Sequence, residues 1–140
     1  MLGHEQYRRL LSFRVGLRRF LRWSDDQAEA IGLTPTQHQL LLTIAGHDDP
    51  RGPTIGDVAG YLFIKHHSVV GLVDRAVATG MVRRRPDPVD HRVVRMELTA
   101  RGQRKLETLS ALHLQELKVL APAIVDILEM APANAGIATE

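Results

Sequence analysis

Cysteine does not occur in the 140 residues, which excludes disulfides, thiolate metal sites and a thiol-based redox switch. No run of eighteen or more uncharged apolar residues is present, nor a basic start followed by a signal-cleavage pattern. The expectation is a soluble, cytoplasmic protein with no membrane partner. Enzyme signatures are missing too: no G-x-G-x-x-G, P-loop, G-x-S-x-G or H-E-x-x-H. His66 and His67 are adjacent, so on a helix they diverge by about 100° and are poorly placed to share one metal. A site gathered in space from His4, His38, His47 or His113 with acids has no sequence signature, and structural or surface histidine is the better reading. No cofactor and no metal are expected. With 44% hydrophobic residues the chain is long enough for one domain with a real core and too short for two independent ones.

What is present centres on Thr54 to Arg95. Thr54 can cap the amide of Asp57 while the Asp57 carboxylate reaches back, a T-x-x-D capping box directly after Pro53. Ile55, Val58, Ala59 and Leu62 then fall on one face of a short helix. A break at Phe63, Ile64 and Lys65 precedes a second helical period, carried by Val69, Val70, Leu72, Val73, Ala76 and Val77 and stopped at Gly80. Met81 and Val82 open a strand, and Val93, Val94, Met96 and Leu98 supply its return. Pro86, Asp87, Pro88, Val89 and Asp90 are expected to form the turn, continuing neither ladder. Two short helices followed by a charged hairpin are the pattern of a winged helix-turn-helix.

Charge points to the partner. From Lys65 to Lys105 there are ten Lys or Arg against four Asp or Glu. A surface of this kind suits duplex DNA, because each neutralised phosphate releases condensed counterions. The bland reading of Arg83, Arg84 and Arg85 is a strand edge protected from aggregation by charge. Beside a helix-turn-helix pattern, DNA contact is the better one.

The run KHHSVVGLVDR with its following GMVRR, then DPVDHR at the wing and LTARG at the next helix, resembles the MarR family of bacterial transcription regulators, over residues 34 to 112. The resemblance implies that the helix beginning near His66 enters the major groove, with Lys65, His66, His67 and Ser68 at its leading end. That agrees with the general habit of recognition helices, which present N-terminal side chains to base edges. It also implies that Asp90 orients Arg92 for the minor groove, whose negative potential favours a guanidinium. An ordinary tip salt bridge is the plain alternative. Two departures stand out. His91 replaces a common Arg, and Ala76 and Val77 follow Arg75 where relatives usually read Leu-Glu, which implies altered packing. Asp74 and Arg75 read as structural, a surface pair or a helix-end salt bridge.

Thr34, Pro35 and Gln37 mark a capped helix that buries Leu40, Leu41 and Ile44 and ends near Gly46. His47 to Pro53 is a loop. Residues 4–30 read as a long helix carrying Leu10, Phe13, Leu17 and Phe20 on one stripe, interrupted or bent at Ser24, Asp25 and Asp26. Six arginines and the single acid Glu5 surround that stripe up to Trp23. These arginines read as a solvated face; pairing with C-terminal acids of a second subunit and anion binding are sharper alternatives. Thr99 caps a further helix, and Pro122 predicts either two helices or one broken one. Residues 131–140, small and polar, are expected to fray.

The fold expected is therefore mainly α with a small β-hairpin wing: one domain in which residues 34–98 form the DNA-binding lobe and residues 4–30 and 99–130 form dimerisation helices. The resemblance implies a homodimer on palindromic operator DNA, most often a repressor acting by steric exclusion of polymerase. It implies in addition that small aromatic effectors bind between the dimer helices and the DNA-binding lobe. Phe13, Trp23, His38 and Leu42 lie on segments able to line such a pocket, or are simply core. The rival classes are a protein-interaction module that kept the fold but lost specific DNA binding, and an enzyme built from scattered His and carboxylates.

Overall fold

The structure, a computed structural model, describes residues 1–130. The expected fraying of residues 131–140 lies outside the described residues. The order of elements is α1 (His4–Ala30), α2 (Pro35–Gly46), α3 (Ile55–Leu62), α4 (His66–Ala78), β1 (Val82–Pro86), β2 (Val94–Leu98) and α5 (Ala100–Met130). Two compact units emerge among the described residues, 25–111 and a terminal unit of residues 1–24 with 112–130.

Helix starts follow local chemistry. At α2 the Thr34 hydroxyl accepts from the Gln37 amide at 3.1 Å and the Gln37 side chain returns to the Thr34 amide at 3.0 Å. Thr54 and Asp57 do the same at α3, at 3.1 and 2.9 Å. Each such cap contributes about 1 kcal/mol by satisfying amides that the helix itself leaves open. Gly80, at φ +74, ends the α4 segment in the left-handed region, where a Cβ would be strained.

The expected interruption at Ser24 to Asp26 is absent, for α1 is continuous through it. Ser24 Oγ is 2.6 Å from His113 Nε2, so its hydroxyl is engaged there instead of competing for the helix backbone. Pro122 likewise sits inside an unbroken α5. Its ring removes one amide donor, leaving the Lys118 carbonyl without its helical partner, but Lys118 is exposed and water can satisfy that carbonyl.

The wing is a two-stranded antiparallel sheet in which Val82 faces Leu98, Arg84 faces Met96 and Pro86 faces Val94. Pro86 was expected in the turn and instead closes β1. A proline fits there because the ladder's last bond is donated by the next residue, Asp87 N to Val93 O at 2.8 Å. A third segment joins the sheet: Thr54 bridges to Arg95, and Met96 N donates to Pro53 O at 3.0 Å.

One apolar core fills the 25–111 unit, built from Leu33, Leu40 and Leu41, then Val58, Val69 and Val73, with Met81, Met96, Leu106 and Leu109 closing it. Ala76 is fully buried and Val77 partly so, packed against the same core. The altered residues after Arg75 therefore still serve packing.

In the terminal unit Glu5 gathers Arg8 at 2.8 Å and Arg9 at 3.2 Å. These guanidiniums hold its carboxyl down at about 2. Arg9 also reaches Asp126 of α5 at 3.5 Å, a pairing with a C-terminal acid of the same chain, where the sharper alternative places the acids in a second subunit.

Candidate nucleic-acid interface

α4 begins differently from α2 and α3. Lys65 is its N-cap residue, with extended backbone and no side-chain cap bond. The first internal bonds run from Ser68 N and Val69 N to Lys65 O, at 3.0 and 3.1 Å. The amides of the first turn thus have no capping side chain, and the positive end of the helix is left for an outside acceptor. Lys65, His66, His67 and Ser68 are all exposed around it, while Val69, Leu72 and Val73 anchor the opposite face in the core. Ser68 lies within the helix, three residues past the N-cap.

At the wing tip Asp90 grips Arg92 in a fork. Oδ1 accepts from Nε at 3.1 Å and Oδ2 from Nη2 at 3.2 Å, and Oδ1 also accepts the Arg92 amide at 3.1 Å. The Arg92 hydrogen bonds draw the Asp90 carboxyl below its ordinary value, so it stays ionised as a rigid partner. The Arg92 side chain is nevertheless 91% exposed. It is oriented without being covered.

The three consecutive arginines of β1 divide by strand alternation. Arg83 and Arg85 share Glu97 at 3.0 and 2.6 Å, and these bonds, Arg83 first, lower the Glu97 carboxyl. Arg84 points to the other face and pairs with Asp74 of α4. Asp74 is therefore bonded to the wing and not to its neighbour Arg75. Arg84 fastens the wing to α4 more than it offers free charge.

Sequence reasoning missed the base of the wing. Asp87, 2% exposed, accepts from the amides of Val89 at 2.8 Å and Asp90 at 2.9 Å. It also accepts from Arg95 Nε at 2.6 Å and Arg51 Nη1 at 3.3 Å. Arg51 is held in turn by Asp49 at 2.7 Å, and Arg95 donates to the Gly52 carbonyl at 2.9 Å. The wing is tied by these groups to the loop ahead of α3. An Asp directly before Pro88 is a turn signal in sequence, but nothing there announces partners in a distant loop.

The effector candidates fall in both units. In the terminal unit, Trp23 lines an open cavity of about 670 Å³ with Phe20, Leu120, Arg8 and Arg19, and Phe13 lines a separate one of about 310 Å³. In the other unit His38 is buried in α2 and Leu42 is exposed. Among the described residues no three His, Asp or Glu side chains gather as a metal set, and no helix is long and apolar enough to cross a membrane.

A capped positioning helix, an open-ended second helix and an arginine-tipped hairpin define a winged helix-turn-helix protein. The model of the MarR family matches residues 31–93, a little under half of the chain. Over 82 residues the chain is 32% identical to the transcriptional activatory protein BadR of Rhodopseudomonas palustris, covering 59% of this chain and 47% of that protein. The chain spans about half the length of the curated relatives it matches. Among solved structures, YusO from Bacillus subtilis superposes with a TM-score of 0.68 at 21% identity, covering 94% of this chain and all of that one. The S. aureus MepR–DNA complex gives 0.66 at 20%, covering 87% and 85%. At such identities the likeness speaks for the fold.

Proposed function

We propose that this protein is a homodimeric transcription regulator that reads palindromic operator DNA, most often as a repressor that excludes polymerase. α4 enters the major groove through Lys65, His66, His67 and Ser68; Arg83 and Arg84 flank it from the wing, and Arg92, oriented by Asp90, probes the minor groove. The observation that carries this reading is the fork at the wing tip: a guanidinium bonded at both ends to one carboxylate yet 91% exposed. A side chain so fixed has lost its rotamer freedom before any partner arrives, which lowers the entropic cost of docking. The MepR complex with DNA supports the same use of the fold. Effector release is the finer part of the reading. The cavity beside Trp23, apolar with Arg8 and Arg19 at its wall, suits a small aromatic acid.

The alternative, an interaction module without specific DNA affinity, draws on the internal pairing of Arg83, Arg84 and Arg85, which leaves less free positive charge than the sequence suggests. Selection from pooled genomic fragments, followed by titration of the tightest against a scrambled duplex over a salt series, separates the two. A regulator selects an inverted repeat, loses affinity steeply with salt and is weakened by Arg92→Ala, by a factor on the order of ten for one lost groove contact. Equal weak binding to both duplexes favours the module.

A further inference from the structure

Phe63 is the most exposed aromatic side chain among the described residues, at 94%. It closes α3 with φ +55 and ψ 39, and its amide donates to the Ala59 carbonyl. That left-handed conformation is ordinarily given to glycine, because a Cβ there crowds the following carbonyl. A bulky aromatic residue in it is an outlier, and strain of this sort is retained where it serves a site. Packing does not account for it. Leu62 and Ile64, on either side, lean on the core, whereas Phe63 does not. Two residues on, Lys65 opens α4, followed by the exposed His66 and His67. The ring thus extends the cationic leading edge of α4 with a piece of apolar surface. A duplex offers matching apolar surface in the major groove, in the C5-methyl groups of thymine.

We propose that Phe63 is a DNA-contacting, specificity-determining residue whose ring packs on thymine methyl groups beside the footprint of α4; this rests on the regulator reading above. The turn backbone fixes where the ring points, and the ring selects an A·T pair there. Glycine or asparagine at the same position would keep the turn, since both tolerate the left-handed region, and would lose the contact.

The test compares the wild-type chain with Phe63→Gly and Phe63→Asn on the selected operator, with thymines replaced one at a time by uracil, over a salt series. Thermal melts of both variants check that the fold is kept. Both variants are expected to bind on the order of tenfold more weakly, as for one lost base contact. The salt dependence stays unchanged, because no phosphate contact is removed. One uracil substitution weakens the wild type and leaves the variants indifferent. The inference is overturned if the variants bind like the wild type, if their salt dependence becomes shallower, or if every uracil duplex affects all three proteins alike. A wild type that binds its operator selectively without help from Phe63 removes this inference alone. A wild type that selects no duplex removes the regulator reading with it, and leaves Phe63 to a protein partner.

Discussion

A single carboxylate, Asp87, decides where the wing tip stands. Its two oxygens accept from two amides and two guanidiniums, an acceptor load that only the ionised form can carry. The amides of Asp90 and Val89, and then Arg95, hold its carboxyl at about 2 against an ordinary 3.8. A folded-state value below the unfolded one means stability that is fully present above about pH 3.8 and lost as pH falls through about 2. The Asp87→Asn variant is therefore expected to melt lower at neutral pH and to lose part of the wild type's decline between those two values. Thermal melts across that window measure the difference, which cancels the contributions of Asp49 and Glu97, carboxyls also held low by arginines. Parallel curves for the two proteins would remove Asp87 as the anchor. The residue scale also shows what the sequence hides. Arg92 with Asp90 was legible because both partners lie within two residues of one another. Asp87 was not, because its guanidiniums come from 8 and 36 residues away, and only the folded chain brings them in.

At the scale of elements, the stretch Leu98 to Gly102 stitches α5 to the end of α4 and the start of the wing. Thr99 Oγ1 accepts from the Gly102 amide at 3.1 Å and donates to the Gly80 carbonyl at 2.6 Å, while the Thr99 amide donates to Met81 O at 3.1 Å. That Met81 carbonyl comes so close that a Cβ on Gly102 would lie 2.1 Å from it. The carbonyl cannot retreat without giving up Thr99. Gly102→Ala is expected to cost about 1–3 kcal/mol, in the range of overpacking in a close-packed interior. Gly46→Ala, where a Cβ meets nothing within 4 Å, serves as the control. Urea midpoints at constant slope give both values, and equal midpoints would mean that the junction yields easily. Helix starts were readable ahead of the structure because a capping box is a contract between residues three apart. The continuity of α1 and α5 was not, since it depends on groups such as His113, 89 residues from the Ser24 it engages. Pro86 erred in the same way: its place in β1 is set by the partner strand.

The whole molecule poses a question that neither unit answers alone. In the terminal unit Leu120 is the one residue counted among the buried core of the described residues, while Leu114, Val119 and Leu128 are each about two-thirds exposed or more, at 66%, 72% and 67%. Apolar surface left open over two long helices is more than a lone soluble chain ordinarily shows. A second copy meeting it about a two-fold axis would bury those stripes and tie two lobes to one another. Sedimentation is expected to give twice 15.6 kDa for the wild type. Leu114→Glu with Leu128→Glu is expected to give the single mass, because glutamates placed on an apolar interface lose their hydration. The core of residues 25–111 does not include these positions, so the variant keeps its lobe and, on the proposed reading, is expected to bind one half-site. What it should lose is the advantage of the full inverted repeat, since the second lobe no longer arrives at high effective concentration. A wild type sedimenting at the single mass would refute the pairing outright. A monomeric variant that still prefers the full repeat would show that the operator itself assembles the two lobes, and would shift the role of the terminal helices from pairing the lobes to another task.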